Sequence, residues 1–316
     1  MTAPPVGRFA PSPSGPMHLG NLFAYLLAWL SVRSRGGKIV LRMENLDPQR
    51  TSRAYGEQIM RDLEFLGLDW DQGPYWQSER SGYYQQCLDA LTAQGLVYPC
   101  FCSRAELHAA NAPHASDGDC VYSGKCRSLT PREAQALAKN RSPALRLRAT
   151  GWAGFTDGHY GPLEQDLERD CGDFILRRSD GVFAYQLAVA ADDGAMGVTE
   201  VVRGRDLLGS TPRQLYLYRL LGLRPPAFVH IPLLLAGAGP GEPPRRLSKR
   251  DQDAGLDVLR GRFSAEEILG RLAYLAGQLP KPEAATAREL AGAFQWSKVP
   301  LEDILLPEGL FTPLGT

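Results

Sequence analysis

The first 43 residues constrain the fold most, because they read as a buried strand, a loop, a helix and a second buried strand. Residues 6–10 are short and apolar, and the Pro/Ser/Gly-rich segment PSPSGP follows them. Residues 22–32 have helical length and end before two glycines, and Lys38–Met43 is again mostly apolar. This order predicts an α/β fold with a parallel sheet. Ligands of such sheets bind at the carboxyl ends of the strands, where residues 11–21 and 44–50 fall.

Hydrophobic periodicity predicts further elements along the chain. They are helices at residues 52–66, 81–94 and 212–221, a hairpin at 174–190 and a strand at 198–202. Residues 100–127 have little periodicity and are rich in Cys, Gly, Asp and Ala, which indicates an insert held by something other than a hydrophobic core. The last 60 or so residues have a helical pattern.

The balance of basic and acidic residues excludes some classes of function. The chain carries 35 basic and 35 acidic residues, which excludes a strongly basic nucleic-acid coat but not a local basic patch. No apolar run approaches the roughly 18–20 residues of a membrane helix, and the N-terminus lacks the features of a signal peptide. We therefore expect a cytoplasmic protein that does not bind membranes.

Two short segments have features of a site for nucleotide phosphates. Residues 14–21 lie between a predicted strand and helix, where His18 can donate to phosphate oxygens and Gly20 allows a ligand to approach the backbone. Residues 246–250 follow a Gly/Pro-rich loop, and a lysine on such a mobile loop can grip triphosphate oxygens as charge builds up during phosphoryl-group chemistry. Taken singly, the first segment is equally a tight turn and the second a basic surface loop.

Together the two segments resemble the signature motifs of class I aminoacyl-tRNA synthetases. The sequence HLGN at residues 18–21 resembles their HIGH motif, and LSKR at 247–250 resembles their KMSKS loop. The flanking sequences are similar to the glutamyl and glutaminyl branch: GRFAPSPSG at 7–15, LRMENLD at 41–47, GLDWD at 67–71 and VVRGRDL at 201–207. Asn45 departs from this pattern, which usually has Asp there.

The resemblance implies the Rossmann-like parallel sheet of that class and a set of ATP-binding residues. ATP would enter with Mg²⁺ as the substrate, and His18 and Lys249 would have catalytic roles. The implied ATP-binding residues are His18, Gly20, Asn21 and Lys249.

A glutamate site is the second implication. Glutamate carries two carboxylates and one ammonium group, and Arg is suited to carboxylates because its planar fork binds them bidentately. Arg8, Glu44 and Arg203 should converge, because each lies at the end of a predicted strand of one sheet. The implied glutamate-binding residues are Arg8, Phe9, Ala10, Pro11, Ser12, Glu44, Tyr185 and Arg203.

Four cysteines suggest a structural zinc site, since Cys100, Cys102, Cys120 and Cys126 fall within 27 residues. Chemistry alone favours four thiols, because a thiolate forms more easily than a phenolate with a pKa of about 10. The family instead has Cys-x-Cys followed by Tyr-x-x-x-Cys, which implies Cys100, Cys102, Tyr122 and Cys126. The two sets differ only in the fourth ligand. We adopt the family set, with one Zn²⁺ per chain.

The predicted domain organisation follows from these segments. Residues 1–98 and 171–235 would form the two halves of a nucleotide-binding catalytic domain. Residues 99–170 would form an insert with the zinc site, and residues 236–316 the KMSKS-like loop and a small helical subdomain. Only 66 residues follow Arg250, which leaves no room for a large anticodon-binding domain.

This organisation is similar to that of the glutamyl-queuosine tRNA(Asp) synthetase family. The resemblance implies that L-glutamate is activated with ATP and attached to queuosine in the anticodon of tRNA(Asp), and we expect a monomer. Three alternatives remain open. They are a truncated glutamyl-tRNA synthetase that charges tRNA(Glu), a small-molecule nucleotidyltransferase and a non-catalytic tRNA-binding paralogue.

Overall fold

The fold is taken from a computed structural model that describes residues 3–103, 106, 121–237, 244–247 and 255–311. The strands of these residues are β1 (Val6–Phe9), β2 (Lys38–Met43), β3 (Gln72–Trp76), β4 (Val97–Cys100), β5 (Ala144–Leu147), β6 (Trp152–Asp157), β7 (Gly161–Asp166), β8 (Phe174–Arg177), β9 (Glu200–Gly204), β10 (Ala227–Ile231), β11 (Leu234–Ala236), β12 (Arg245–Arg246) and β13 (Ile304–Leu305). The α-helices are α1 (Leu19–Arg33), α2 (Arg53–Phe65), α3 (Ser81–Ala93), α4 (Pro131–Ala138), α5 (Tyr185–Ala195), α6 (Thr211–Leu220), α7 (Leu256–Leu259), α8 (Ala265–Leu275) and α9 (Ala287–Ala293).

Parallel strands form the sheet of the catalytic part. β1, β2 and β3 are hydrogen-bonded in that order, and β9 pairs with β10. β9 begins beside β1, because the Thr199 N–H donates to the Val6 carbonyl oxygen over 2.8 Å. The α/β fold with a parallel sheet is therefore confirmed, and β2 has the bounds that the sequence predicts.

The interior of this part is built around α1. Ten of its 15 residues are buried, because it lies between the sheet and the C-terminal helices. Leu22, Leu26 and Leu30 have no measurable exposure. Burying a helix on nearly all sides removes much apolar area from water, at roughly 25 cal/mol per Å². The helix consequently holds its N-terminus at a fixed place beside the strand ends.

Antiparallel strands make up the region between the two halves of the catalytic part. β4, β5 and β8 form one sheet, and β6 and β7 form a hairpin. The proposed boundary between residues 170 and 171 falls just before β8, which pairs with β5 of the proposed insert. The hairpin reaches the catalytic sheet, since the Gly158 N–H donates to the Phe228 carbonyl oxygen over 2.8 Å.

The predicted hairpin at residues 174–190 is only half correct. β8 and the turn are present, with Gly181 at a φ of 89° and the Arg178 N–H donating to the Val182 carbonyl oxygen over 2.8 Å. The second arm is instead α5, which begins at Tyr185. Four of the 11 residues of this helix are alanine, which favours a helix, and the helix buries Asp192 and Asp193.

The C-terminal residues are partly helical and close one side of the catalytic part. α8 and α9 pack against the core that contains α1, and β13 pairs in parallel with β11. Asp303, just before β13, accepts hydrogen bonds from Arg205 and from the Leu233 N–H. In the described part of the chain, the helices are too short or too polar to cross a membrane.

Two helical glycines give a matched test of this packing. A Cβ at buried Gly270 in α8 would collide with the backbone carbonyl of Glu283, whereas a Cβ at exposed Gly292 in α9 would meet no atom within 4 Å. We expect Gly270→Ala to lower the free energy of unfolding by about 1–3 kcal/mol. Gly292→Ala should leave it unchanged or raise it by up to about 1 kcal/mol, because Ala favours helices over Gly. Urea denaturation measures both, and equal effects would contradict the packing.

Candidate active site

A cavity of about 430 Å³ lies at the carboxyl ends of β1, β2 and β9, beside the N-terminus of α1. It brings together most of the residues that the sequence identifies. Those that line it are Arg8, Ala10, Pro11, Ser12, His18, Gly20, Asn21, Glu44, Tyr185 and Arg203.

Phe9 is not among the lining residues. Successive side chains of a strand point to opposite faces, so Arg8 reaches the cavity while the Phe9 side chain is wholly buried in the core, edge-on to Tyr25. Of the implied glutamate-binding residues, Phe9 is thus the one whose side chain faces the core. Asn45, the departure from the family pattern, exchanges two hydrogen bonds with Ser78 and does not line the cavity.

His18 caps α1, and this contact determines which nitrogen of its imidazole ring carries the proton. The Gly20 N–H donates to His18 Nδ1 over 3.2 Å, and the His18 N–H donates to Asn21 Oδ1 over 3.2 Å. Because Nδ1 accepts, the neutral ring carries its proton on Nε2, where it can donate to an oxygen ligand. The N-terminus of α1 adds backbone N–H groups and a positive dipole end, so this part of the cavity favours anions.

Lys249 lies outside the described residues, but both neighbouring described segments meet the cavity. Leu247 is one of the lining residues. On the other side, Gly255 forms a β-bridge with His18, and the Leu256 N–H donates to the Met17 carbonyl oxygen over 3.0 Å. Leu247 therefore borders the same cavity as His18, and Gly255 pairs with His18 itself.

Glu44 is held by a buried arginine that the sequence analysis assigned no role. Arg42 has no exposed surface and donates to Glu44 Oε1 over 3.1 Å and to Asp193 Oδ1 over 2.6 Å. Asp193 also lies 3.7 Å from Arg8 Nε, so one carboxylate supports two arginines. Burial raises the pKa of Glu44, and Arg42 and Arg8 only partly offset this. A cationic ligand group beside Glu44 would relieve the cost of ionising it.

Asp192 anchors the far side of this network. Its carboxylate is fully buried and accepts hydrogen bonds from Tyr84 over 2.7 Å, Arg80 over 2.7 Å and Gln77 over 3.0 Å. Arg42 Nε lies 3.7 Å from the same carboxylate. Buried charges persist only when paired and hydrogen-bonded, and α5 supplies both aspartates that meet this need.

Arg203 is buried as well, but no described residue supplies a carboxylate to it. Its guanidinium donates to His230 Nε2, Gln214 Oε1, the Leu207 carbonyl oxygen and Thr211 Oγ1, over 2.8 to 3.3 Å, and all four acceptors are neutral groups. No carboxylate of a described residue lies within 4 Å of it, and burial lowers the pKa of Arg203. A buried cation in this setting is stabilised by an anionic ligand.

The cysteine cluster lies apart from the cavity. The Sγ atoms of Cys100, Cys102 and Cys126 lie within 4.8 Å of one another, a spacing that suits one metal ion. Tyr122 Oη is 3.5 Å from the Sγ atoms of both Cys100 and Cys102, so the phenol is the fourth group of this cluster. Cys120, the alternative fourth ligand, lies outside the described residues.

Tyr122 is fixed from two sides. Its hydroxyl accepts the Cys126 N–H over 2.8 Å, and the Arg146 guanidinium lies 3.9 Å from its ring centroid. Burial raises the pKa of the Tyr122 phenol, which favours the protonated form in the metal-free state. Three thiols and one oxygen around a common point are a donor set that fits Zn²⁺.

Comparison with known proteins agrees with this geometry. Residues 6–276 match the family described as tRNA synthetases class I (E and Q), catalytic domain. A Glutamyl-Q tRNA(Asp) synthetase from Nitratidesulfovibrio vulgaris is 48% identical and aligns with 98% of this chain and 97% of its own length. One from Symbiobacterium thermophilum is 46% identical over 95% of each chain.

The fold is also that of a solved enzyme of this class. The crystal structure of a glutamate tRNA ligase from Elizabethkingia meningosepticum, in complex with its amino acid, superposes with a TM-score of 0.80 at 26% identity. The match covers 98% of this chain and 68% of that ligase. The sequence matches and this superposition agree, and the chain belongs to the class I tRNA synthetase family for glutamate and glutamine, and within it to the glutamyl-Q tRNA(Asp) synthetases.

Proposed function

We propose that this protein activates L-glutamate with ATP and transfers the glutamyl group to queuosine in the anticodon of tRNA(Asp). The observation that carries the proposal is the cavity itself. At one end of the cavity, the N-terminus of α1 at His18 favours anions. The other end contains Arg8, Glu44 and Arg203, and the described hydrogen-bond acceptors of Arg203 are all neutral. A nucleotide and a doubly acidic amino acid fit these two ends.

Glutamate would be held by charge complementarity. Arg8 and Arg203 would receive its carboxylates, and Glu44 its ammonium group, with Tyr185 beside Arg203 completing the pocket. Ala10, Pro11 and Ser12 line the space between this end of the cavity and His18. Because four N–H groups of Arg203 are already engaged by the protein, its role is a fixed positive charge with a defined orientation.

Activation is the attack of the glutamate α-carboxylate oxygen on the α-phosphorus of ATP, with loss of pyrophosphate. The protein positions the reactants and stabilises charge, and no protein nucleophile is needed. His18 Nε2–H and the positive dipole end of the helix start at Gly20 and Asn21 would hold phosphate oxygens, and Lys249 would follow the charge on the departing pyrophosphate. Mg²⁺ would enter with ATP.

The acceptor is proposed from the relatives. Those named Glutamyl-Q tRNA(Asp) synthetase align over 95% and 97% of their lengths. RNA loops allow a single base to be splayed out and read, so an anticodon nucleoside can reach such a cavity. The reaction would run in the cytoplasm, in a monomer with the domain organisation predicted from the sequence.

The cysteine cluster would hold one structural Zn²⁺ through Cys100, Cys102, Tyr122 and Cys126. The ion, when bound, cross-links the start of the insert to the segment around residue 126. Arg146 would keep the Tyr122 ring in place for this role.

The acceptor is tested directly by transfer of labelled glutamate. We expect labelling of tRNA(Asp) that contains queuosine, and none of tRNA(Asp) without queuosine or of tRNA(Glu). Glutamate-dependent ATP–pyrophosphate exchange without tRNA is expected as well, because the resemblance to the glutamyl-queuosine family implies activation that does not need tRNA. Robust charging of tRNA(Glu), or exchange only when tRNA is present, would instead identify a truncated glutamyl-tRNA synthetase. A lack of exchange both with and without tRNA would identify a non-catalytic paralogue.

The division of roles in activation is tested with Lys249→Ala and Arg203→Ala. Lys249→Ala should lower the exchange rate at saturating glutamate by about a hundred- to a thousandfold, because its contact forms mainly in the transition state. Arg203→Ala should chiefly raise the KM for glutamate, because it binds the substrate before and during reaction. Lys139→Ala, at an exposed residue after α4, is the control. Equal effects on KM with unchanged exchange rates would contradict these roles.

Zinc binding is tested by metal analysis of purified variants. We expect about one zinc per chain, and its loss or weaker retention under a chelator in Cys102→Ser and Tyr122→Phe. Cys87→Ala changes a buried cysteine outside the cluster and should retain the metal. Retention in Tyr122→Phe with loss in Cys120→Ser would make Cys120 the fourth ligand.

A further inference from the structure

A hydrogen-bonded chain joins the β6–β7 hairpin to Arg203. Asp157, the last residue of β6, lies 2.6 Å through Oδ2 from His230 Nδ1, and His230 Nε2 lies 3.1 Å from Arg203 Nε. The exposed fractions of Asp157, His230 and Arg203 are 2%, 0% and 4%, so water does not compete for these contacts. The motifs of the sequence analysis include neither Asp157 nor His230.

The direction of each hydrogen bond follows from the chemistry of the partners. Arginine is only a donor, so His230 Nε2 must accept from Arg203. The ring is then neutral and carries its proton on Nδ1, which donates to Asp157. Burial lowers the pKa of His230, in agreement with a neutral ring. A protonated ring would lose the acceptor and place a second positive charge beside Arg203.

Both ends of the histidine are held firmly. Asp157 Oδ1 also accepts the N–H groups of His159 and Tyr160, each over 3.0 Å, and the His230 N–H lies 3.2 Å from both carboxylate oxygens. Burial opposes ionisation of Asp157, but these hydrogen bonds more than offset it and lower its pKa. The ring of Phe228 stacks on the imidazole at an interplanar angle of 13°. Rotation of the imidazole would break its contacts with Asp157, Arg203 and the Phe228 ring.

We propose that Asp157 and His230 are positioning residues that hold a neutral acceptor against Arg203 Nε and so fix the plane of its guanidinium for a glutamate carboxylate. This inference rests on the proposed function, because it takes Arg203 as a glutamate-binding residue. The arrangement keeps the full charge of Arg203 for the ligand, since a carboxylate in place of His230 would neutralise it. The hairpin thereby contributes to glutamate affinity without touching glutamate.

Two substitutions of His230 separate the acceptor from mere packing. In His230→Gln, the amide oxygen can take the place of Nε2 and accept from Arg203. In His230→Asn, the shorter amide can still donate to Asp157 but leaves no acceptor at the Nε2 position. Glutamate-dependent ATP–pyrophosphate exchange at saturating ATP gives KM and kcat for each, and thermal unfolding reports on the fold. His159→Asn, at a histidine that contacts the Pro300 carbonyl, is the control.

We expect His230→Asn to raise the KM for glutamate by about ten- to a hundredfold with kcat within about threefold of the unsubstituted protein, since a hydrogen bond to a charged group is lost. His230→Gln and His159→Asn should stay within about threefold in both constants. An unchanged KM in His230→Asn, or equal losses in the Gln and Asn variants with a fall in kcat, would overturn the proposal. If the Asn variant does not fold, the KM of the Gln variant decides between the two outcomes: a change of more than about threefold would overturn the proposal.

The tautomer gives a readout that does not depend on activity. Nitrogen NMR of ¹⁵N-histidine-labelled protein at neutral pH should show His230 with the proton on Nδ1 and an unprotonated Nε2, and His230→Gln assigns the signal. A proton on Nε2 would overturn the inference even in an active enzyme. Conversely, the Nδ1 tautomer in a protein without glutamate-dependent exchange would leave the hydrogen-bonded chain intact and show that the proposed function itself fails.

Discussion

Burial of charge at the carboxyl ends of the parallel strands is the constraint on which the site depends. Arg42, the fifth of the six residues of the mostly apolar strand β2, can be buried because Asp193 and Glu44 meet its guanidinium within 3.1 Å. Removing one partner of such a group typically costs about 3–5 kcal/mol, so the arrangement tolerates little change. Glu44 is thus held at the cavity because the buried guanidinium of Arg42 needs carboxylate partners.

Arg42 and Arg203 show how the same residue type can serve the fold or a ligand. Both are buried, but three carboxylates lie within 4 Å of Arg42, whereas only neutral acceptors bind Arg203 among the described residues. Carboxylates of the protein therefore neutralise the charge of Arg42. The protein orients Arg203, but no carboxylate of a described residue neutralises its charge. An anionic substrate would therefore stabilise the protein most by binding next to Arg203.

The sequence allowed the sheet, α1 and the cavity to be predicted because each depends on local pattern. Buried parallel strands are short apolar runs, and strand ends of one sheet meet at one edge. The roles of Arg42 and Asp193 could not be read in this way, since their contact spans 151 residues. A signal was present nonetheless: a charge inside an apolar strand, and two aspartates in an alanine-rich helix, each require a buried partner. Phe9 differs from the other implied glutamate-binding residues, because its side chain lies on the opposite face of β1 from Arg8 and packs in the core.

Segments that are distant in sequence act on one substrate pocket, as the contacts of Arg203, Arg205 and Leu233 show. Arg203 is oriented through His230 from the hairpin that contains Asp157, and Arg205 and the Leu233 N–H are bound by Asp303 near the end of the described residues. Gly204, Asp206 and Leu233 themselves line the cavity. An open parallel sheet collects its strand ends at one edge, so whatever packs on that edge borders the ligand. The insert and the C-terminal segment therefore influence how glutamate binds without contacting it. Both hold in place the backbone and the charged side chains that border the glutamate pocket.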